Sequence, residues 1–151
     1  LMNIYLLTEC DIFIGQQSGP YYLPNACGIQ CILTNCVPYR MGSLGPKDLN
    51  LYKKIRISNR DISAVDVYKN HIDLARGHQF TEKNAEVIDN SEQEILETVK
   101  EAVRLYKGEK TAPDIIELDQ RLKALMPLDM RARYDSSRMP AFVLDSLRGE
   151  L

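Results

Sequence analysis

Two short apolar runs set the pattern of the first part of the chain. Ile12-Phe13-Ile14 follows Asp11 and is closed by Gly15, and Cys31-Ile32-Leu33-Thr34 is opened by Gly28 and closed by Asn35. Neither run alternates apolar with polar residues, as a strand with one wet face would. Continuous runs of this kind belong to parallel sheets covered on both faces. Between them, Ser18 is a good N-cap, Pro20 suits a first helical turn where its missing N–H is harmless, and Gly28 is a good stop. Pro24 limits that helix to a short or kinked one. The unit is strand, Gly-containing turn, short helix, strand, and such crossovers are right-handed almost without exception. Leu1 to Glu9 reads as the end of an element already under way.

Further along, Pro38, Gly42, Gly45 and Pro46 make Cys36 to Asn50 a loop. Lys54 to Ile57 is a short strand. Asn59 to Arg76 reads as mostly helical, capped by Asn59 or Asp61 and ending near Gly77. Glu86 to Asp89 is a last strand. Ser91-Glu92-Gln93-Glu94 fits a capping box, because Ser at the N-cap and Glu three residues on satisfy each other's backbone donors. Ile95, Val99, Ala102, Val103 and Tyr106 then recur on one helical face, and Gly108 ends the helix. Pro113 opens another, with Ile115, Leu118, Leu122 and Leu125 on one side, and Met139 to Leu147 forms a terminal helix. The fold expected is α/β, a Rossmann-like parallel sheet followed by C-terminal helices.

Composition narrows the function classes. The 151 residues are 44% hydrophobic and 26% charged with a net charge of -2, ordinary globular values that exclude a disordered or collagen-like chain. That charge balance offers nothing to a polyanion, so no nucleic-acid partner is expected. No apolar run reaches the ~18 residues that cross a bilayer, and no signal-peptide pattern opens the chain. The first residue is Leu1, and the chain is read as a fragment of a longer one. Leu1 to Tyr39 holds no Lys or Arg and only Glu9 and Asp11 as acids, which marks it as core covered on both faces. Cys10, Cys27, Cys31 and Cys36 form no C-x-x-C pair and lie far from His71 and His78. They are read as small buried thiols of a reduced cytosol, with Cys27 and Cys31 among apolar neighbours.

The stretch that bears chemistry is Asp11 to Pro20. A buried strand ends and the chain turns through Gly15 and Gly19 into a helix start. Such a turn leaves backbone N–H groups pointing outward at the C-terminal edge of the sheet, where open parallel sheets take ligands. Glycine permits close approach of a phosphate, and Ser18 adds a hydroxyl. The plain alternative is a Ser and Gly that do no more than cap a helix. The turn is not a P-loop, since no Gly-Lys-Ser/Thr follows, and its glycines have the wrong spacing for G-x-G-x-x-G.

Ile12-Phe-Ile-Gly-Gln-Gln-Ser-Gly-Pro-Tyr-Tyr-Leu-Pro-Asn-Ala-Cys-Gly-Ile-Gln-Cys-Ile-Leu-Thr-Asn35 resembles the donor-binding segment of GT-B-fold glycosyltransferases. It is most similar to a bacterial family with the pattern FIGT-S-SGP, then LP, then LLTN, and is distantly similar to heptosyltransferases. Glu86-Val-Ile-Asp-Asn-Ser-Glu-Gln-Glu-Ile95 resembles that family's later strand and capped helix. The likeness covers roughly residues 1–107, with 108–151 a helical extension. It implies the C-terminal, nucleotide-sugar-binding half of a two-domain enzyme, with the acceptor site and catalytic base in an N-terminal half and little activity without it. Carried over by position, Gln17, Ser18, Gly19 and Pro20 meet the diphosphate or donor sugar, Asn35 lines the same cleft, and Gln16 and Tyr21 are further donor contacts. The sequence departs from the pattern at Gln16 and Gln17, where small hydroxyl residues are common, and at Gln30, where Pro is. No Asp-x-Asp motif appears, in agreement with metal-independent transfer and no cofactor. The acceptor class implied is a carbohydrate or lipid-linked sugar, reached from the cytoplasm or the inner-membrane surface.

Two other readings stay open: a nucleotide-sugar epimerase of the same architecture, and a non-catalytic module that keeps the fold alone. Tyr21 and Tyr22 suit stacking on a base or sugar, but amphipathic packing is their default. His71 and His78 are read as exposed. Lys53, Lys54, Arg56 and Arg60 form a basic cluster, read as a solvated face. Asp89 and Asn90 are read as leading into the capped helix.

Overall fold

The computed structural model describes residues 2–37, 39, 42–72, 74, 77–127 and 136–151. The chain runs α1 (Met2–Glu9), β1 (Ile12–Gly15), a 3-10 turn (Gly19–Tyr21), α2 (Tyr22–Ala26), β2 (Gln30–Cys36), β3 (Leu49–Tyr52), β4 (Lys54–Ile57) and β5 (Arg60–Ile62). It continues with α3 (Ala64–Lys69), α4 (Gly77–Glu82), β6 (Ala85–Ile88), α5 (Glu92–Tyr106), α6 (Pro113–Ala124) and α7 (Ala141–Ser146). Among the described residues the architecture is mixed α/β with two three-stranded sheets. One is parallel, in the order β1-β2-β3, and the other is antiparallel, in the order β5-β4-β6.

The central strand β2 explains the unbroken apolar run. Ile32 packs on one face with Leu49, Ala102 and Leu105, so α5 covers that side. Leu33 packs on the other with Tyr21 and Cys36, against Phe13 and Tyr52. A strand covered on both faces has no position at which a polar side chain is free of cost, which is why the run does not alternate. A larger core joins Ile55, Val65 and Tyr68 to Ile115, Leu118, Leu122 and Leu144.

The uncharged N-terminal stretch is not all core. β1 is an edge strand with Ile14 50% exposed, and Ile4, Tyr5 and Leu6 of α1 are exposed as well. Absence of charge therefore marks core in β2 and an apolar surface in α1. Two other expectations change. The segment 36–50 is not all loop, because β3 begins at Leu49 and lies parallel to β2. Asn50 disguises that strand; its side chain is buried and bonds Ser43 and Ser137. Nor is 59–76 one helix. Ser58 and Asn59 both take positive φ (49° and 65°), and Ile57 pairs with Arg60 across them. That is the left-handed pair a two-residue hairpin needs, and it makes β4 and β5 antiparallel. The following helix is only Ala64–Lys69, capped by the Ser63 hydroxyl on the Asp66 N–H. Gly77, expected as a stop, instead opens α4.

The remaining helices follow their punctuation. Ser91 and Glu94 form the reciprocal capping box of α5, and Gly108 at φ 94° ends that helix. α6 starts at Pro113 and buries Ile115, Leu118 and Leu122. α7 is shorter than the Met139–Leu147 expected from sequence. The main chain at Arg138, just before it, lies parallel beside Leu49. The Asn50 N–H donates to the Arg138 carbonyl at 2.9 Å. The Arg138 guanidinium is buried and meets Glu101 at 2.6 Å, while the second Glu101 oxygen accepts the Ala141 N–H at 2.8 Å. This pair ties the C-terminal segment to α5.

Two stability outcomes follow from these buried charges. Arg138→Ala strands the Glu101 carboxylate and is expected to cost about 3–5 kcal/mol in urea denaturation, whereas Arg138→Met with Glu101→Leu costs far less. Burial raises the carboxyl pKa of Asp119 above its usual range, with Lys123 at 2.8 Å opposing the shift. A raised folded pKa means that the native state holds its proton where the unfolded chain has released it. The Asp119 contribution therefore falls as pH rises from the ordinary carboxylate range through that raised value. Relative to Asp119→Asn, the wild type loses stability over that window, measurable as a converging or crossing pair of urea midpoints.

Candidate functional site

The C-terminal edge of the parallel sheet gathers the residues singled out in the sequence. The turn after β1 carries Gln16 to Pro20. Ser18 stands at the N-cap of the 3-10 turn with φ −146°, yet its hydroxyl caps nothing. It donates instead to the Gln16 carbonyl at 3.3 Å. The Tyr21 N–H closes the turn onto the Ser18 carbonyl at 3.2 Å. Among the described residues, the N–H groups of Ser18 and Gly19 have no protein acceptor. A Cβ built on Gly19 meets nothing within 4 Å, so the space beside this turn is open. Gly15 differs, because a Cβ there would meet the Phe13 ring at 2.7 Å. A side chain there would press on that ring, so packing alone gives a reason for this glycine.

The turn is tied to the strand beside it. The Gln17 side-chain oxygen accepts the Val37 N–H at 2.9 Å, just past β2. The Thr34 hydroxyl donates to the Gly15 carbonyl at 3.4 Å. Gln17 is therefore a strut across the sheet edge. Pro20 is exposed at the start of the 3-10 turn. Tyr21 is 5% exposed and packs under the turn, while Tyr22 is 56% exposed beside it with ring centroids 4.2 Å apart. The Tyr21 ring thus belongs to the core, and Tyr22 is the accessible one.

Asn35 occupies the end of β2 with φ 52°, a left-handed conformation that Asn tolerates better than most residues. It exchanges two bonds with Asn90. The Asn35 N–H donates to Asn90 Oδ1 at 2.6 Å, and the Asn90 N–H donates to Asn35 Oδ1 at 2.7 Å. Asn90 Nδ2 donates to the Tyr52 carbonyl at 2.8 Å. One asparagine thereby joins the ends of β2 and β3 to the start of α5. Reading Asn90 as the lead-in to a helix cap missed this role. Nothing in its local sequence points across 55 positions, and only the tertiary packing brings the two together.

Three of the four residues of the basic cluster are paired with acids. Lys53 meets Asp89 at 2.6 Å, Lys54 meets Glu94 at 2.9 Å and Arg56 meets Asp61 at 2.7 Å, while Arg60 is exposed. Glu94 is held below the usual carboxylate range by its bonds to Ser91 and Lys54, against a desolvation that pushes it up.

The thiols divide. Cys31 and Cys36 are fully buried. Desolvation, then the charge of Asp48, pushes the Cys31 thiol up to about 12, and burial raises Cys36 as well, so both stay protonated and unreactive. Cys27 is exposed, against the expectation of an apolar setting. His71 and His78 are both exposed. Among the described residues, no group of three His, Cys, Asp or Glu side chains is placed to hold a metal ion. Among them, too, no helix is long and apolar enough to cross a membrane.

Sequence reasoning also passed over Asp48, a 2% exposed carboxylate at the opposite end of the sheet. It accepts the Cys31 N–H at 2.7 Å, the Gly45 N–H at 2.8 Å and Asn25 Nδ2 at 3.1 Å. Those bonds order the 45–48 turn that delivers β3.

Asn90→Ala is expected to destabilise the chain by about 1–3 kcal/mol, because it takes the acceptor from the part-buried Asn35 N–H and the Nδ2 donor from the Tyr52 carbonyl. Asn35→Gly keeps the positive φ and its own N–H, and loses only the Oδ1 that accepts the Asn90 N–H. Each single variant therefore breaks a different half of the pair, and the double variant, which breaks both, is expected to be less stable than either in urea denaturation. No protein family matches this chain, and no curated protein or solved structure does.

Proposed function

We propose that this chain is the donor-binding half of a glycosyltransferase, a Rossmann-like domain of the GT-B type that takes a nucleotide-sugar at the C-terminal edge of its parallel sheet. The observation that carries the reading is the turn from Gln16 to Pro20. It leaves β1 at that edge, beside Asn35 at the end of β2, with the Ser18 and Gly19 amides unpartnered among the described residues and open space next to Gly19. The likeness of residues 12–35 and 86–95 to the glycosyltransferase pattern supports the same assignment.

In this reading the diphosphate lies against the Ser18 and Gly19 amides, and the Ser18 hydroxyl turns from the Gln16 carbonyl to donate to it. Negative charge develops on the leaving phosphate as the glycosyl bond breaks. Oriented N–H donors stabilise that charge because they need no reorientation at the moment of reaction. Gln17 holds the turn in register through Val37. Asn35 contributes its Nδ2 group, since Oδ1 is already engaged by Asn90. Gln16 and Tyr22 border the donor, and Tyr21 supports the turn from below. The acceptor, a carbohydrate or lipid-linked sugar, and the catalytic base belong to a partner half, and the transfer is cytoplasmic and needs no metal.

Calorimetric titration of the full chain with uridine and guanosine diphosphates tests the assignment. Saturable binding is expected, and Ser18→Leu should weaken it by about tenfold or more, because the side chain then fills the phosphate position. Absence of binding points to a non-catalytic module. Binding unchanged in Ser18→Leu removes the turn from the site.

A further inference from the structure

We propose that a cavity at the end of β3 binds a small uncharged ring that carries an acceptor oxygen. This ≈370 Å³ cavity lies between the end of β3, the start of α3, the first turn of α5 and one side of α7. Its volume falls in the range of roughly 300–1,000 Å³ that small-molecule sites occupy. Its walls are apolar and aromatic, with the stacked rings of Tyr39 and Tyr52 (centroids 4.5 Å apart), Val143 and Leu147 among them. Phe142 stands on the same wall and keeps 37% of its surface exposed.

The charged groups that line the cavity decide the ligand class. Lys54 meets Glu94 at 2.9 Å, so the two charges cancel. Glu94 is itself fixed: its other oxygen accepts the Ser91 N–H and hydroxyl, both at 2.8 Å. A charged ligand would find no uncompensated counter-charge among the described lining residues and would lose its hydration on entry. The Lys54 ammonium has three N–H donors and spends one on Glu94, which leaves donors for an oxygen on the guest. The Ser63 hydroxyl, which already accepts the Asp66 N–H and donates to Glu150 at 2.5 Å, and the Ser146 hydroxyl, which donates to the Val143 carbonyl at 2.6 Å, add polar points among the apolar groups. Aromatic and aliphatic walls with one oriented donor group suit a planar neutral ring with a carbonyl or hydroxyl oxygen. The site does not depend on the glycosyltransferase reading, because it uses none of the residues of the β1 turn.

Nuclear magnetic resonance titration of the full chain with benzamide and, separately, uridine tests the proposal. Both probes are neutral rings with a carbonyl oxygen, and the uridine arm tells whether a ribose is accommodated. Saturable shifts of the Phe142, Val143 and Ser146 amides with either probe are expected. Ser146 is exposed, so Ser146→Trp should keep the fold, occupy the cavity and weaken binding by about tenfold or more, and Lys54→Gln should weaken it by a smaller factor. If neither probe shifts those amides saturably, or if Ser146→Trp leaves the affinity unchanged with the remaining spectrum intact, the proposal fails.

Discussion

The exchange of main-chain hydrogen bonds between Asn35 and Asn90 is the constraint on which the arrangement of the two sheets depends. Each asparagine offers its side-chain oxygen to the other's N–H, and Asn90 adds a bond to the Tyr52 carbonyl. These groups lie where β2 and β3 of the parallel sheet end and where β6 of the antiparallel sheet gives way to α5. Strand ends carry main-chain donors and acceptors that the ladder no longer satisfies, and leaving them buried and unpaired is costly. Two amide side chains settle three such groups between them. The left-handed backbone at Asn35 turns β2 away from its ladder at this point, which frees its N–H for the exchange.

A second polar seam runs along the far side of the parallel sheet. Asn50 bonds Ser43 and Ser137, and the Ser137 hydroxyl returns to the Ser43 carbonyl at 2.6 Å. Arg138 then pairs with Glu101 and holds the main chain beside β3. The seam brings the segment after α6 back to the sheet, so that α7 caps the large core and walls the cavity beside Tyr52. Polar groups buried this way contribute little net energy, but they admit few alternative pairings. The position of α7 thereby follows from hydrogen-bond geometry as much as from apolar burial.

The elements legible in the sequence were those whose cause is local. The Ser91 to Glu94 capping box, the Pro113 start, the Gly108 stop and the Gly28 stop each depend on residues within one turn of chain. The unbroken run from Cys31 to Thr34 was legible because burial on both faces suppresses alternation. The hairpin at Ser58-Asn59 was not, since those residues carry weaker turn signals than Asn-Gly and the polar stretch after them also suits a helix. β3 was hidden by Asn50, whose polarity is explained only by partners at Ser43 and Ser137, the latter 87 residues away. At the candidate site, the sequence pointed to the β1 turn and gave its glycines to ligand access, while the crowding of Gly15 by the Phe13 ring shows only in the packing.

By itself, then, the amino-acid order determined the capping box and end of α5, the start of α6, the stop at Gly28 and the strand buried on both sides, because these depend on propensity and burial over a few residues. Tertiary structure decided the partition into a parallel and an antiparallel sheet, the pairing of Asn35 with Asn90, the pairing of three residues of the basic cluster with acids and the division of the uncharged N-terminal stretch into core and surface. Each of those depends on which distant groups come within hydrogen-bonding or van der Waals reach, and no local pattern encodes a partner far along the chain.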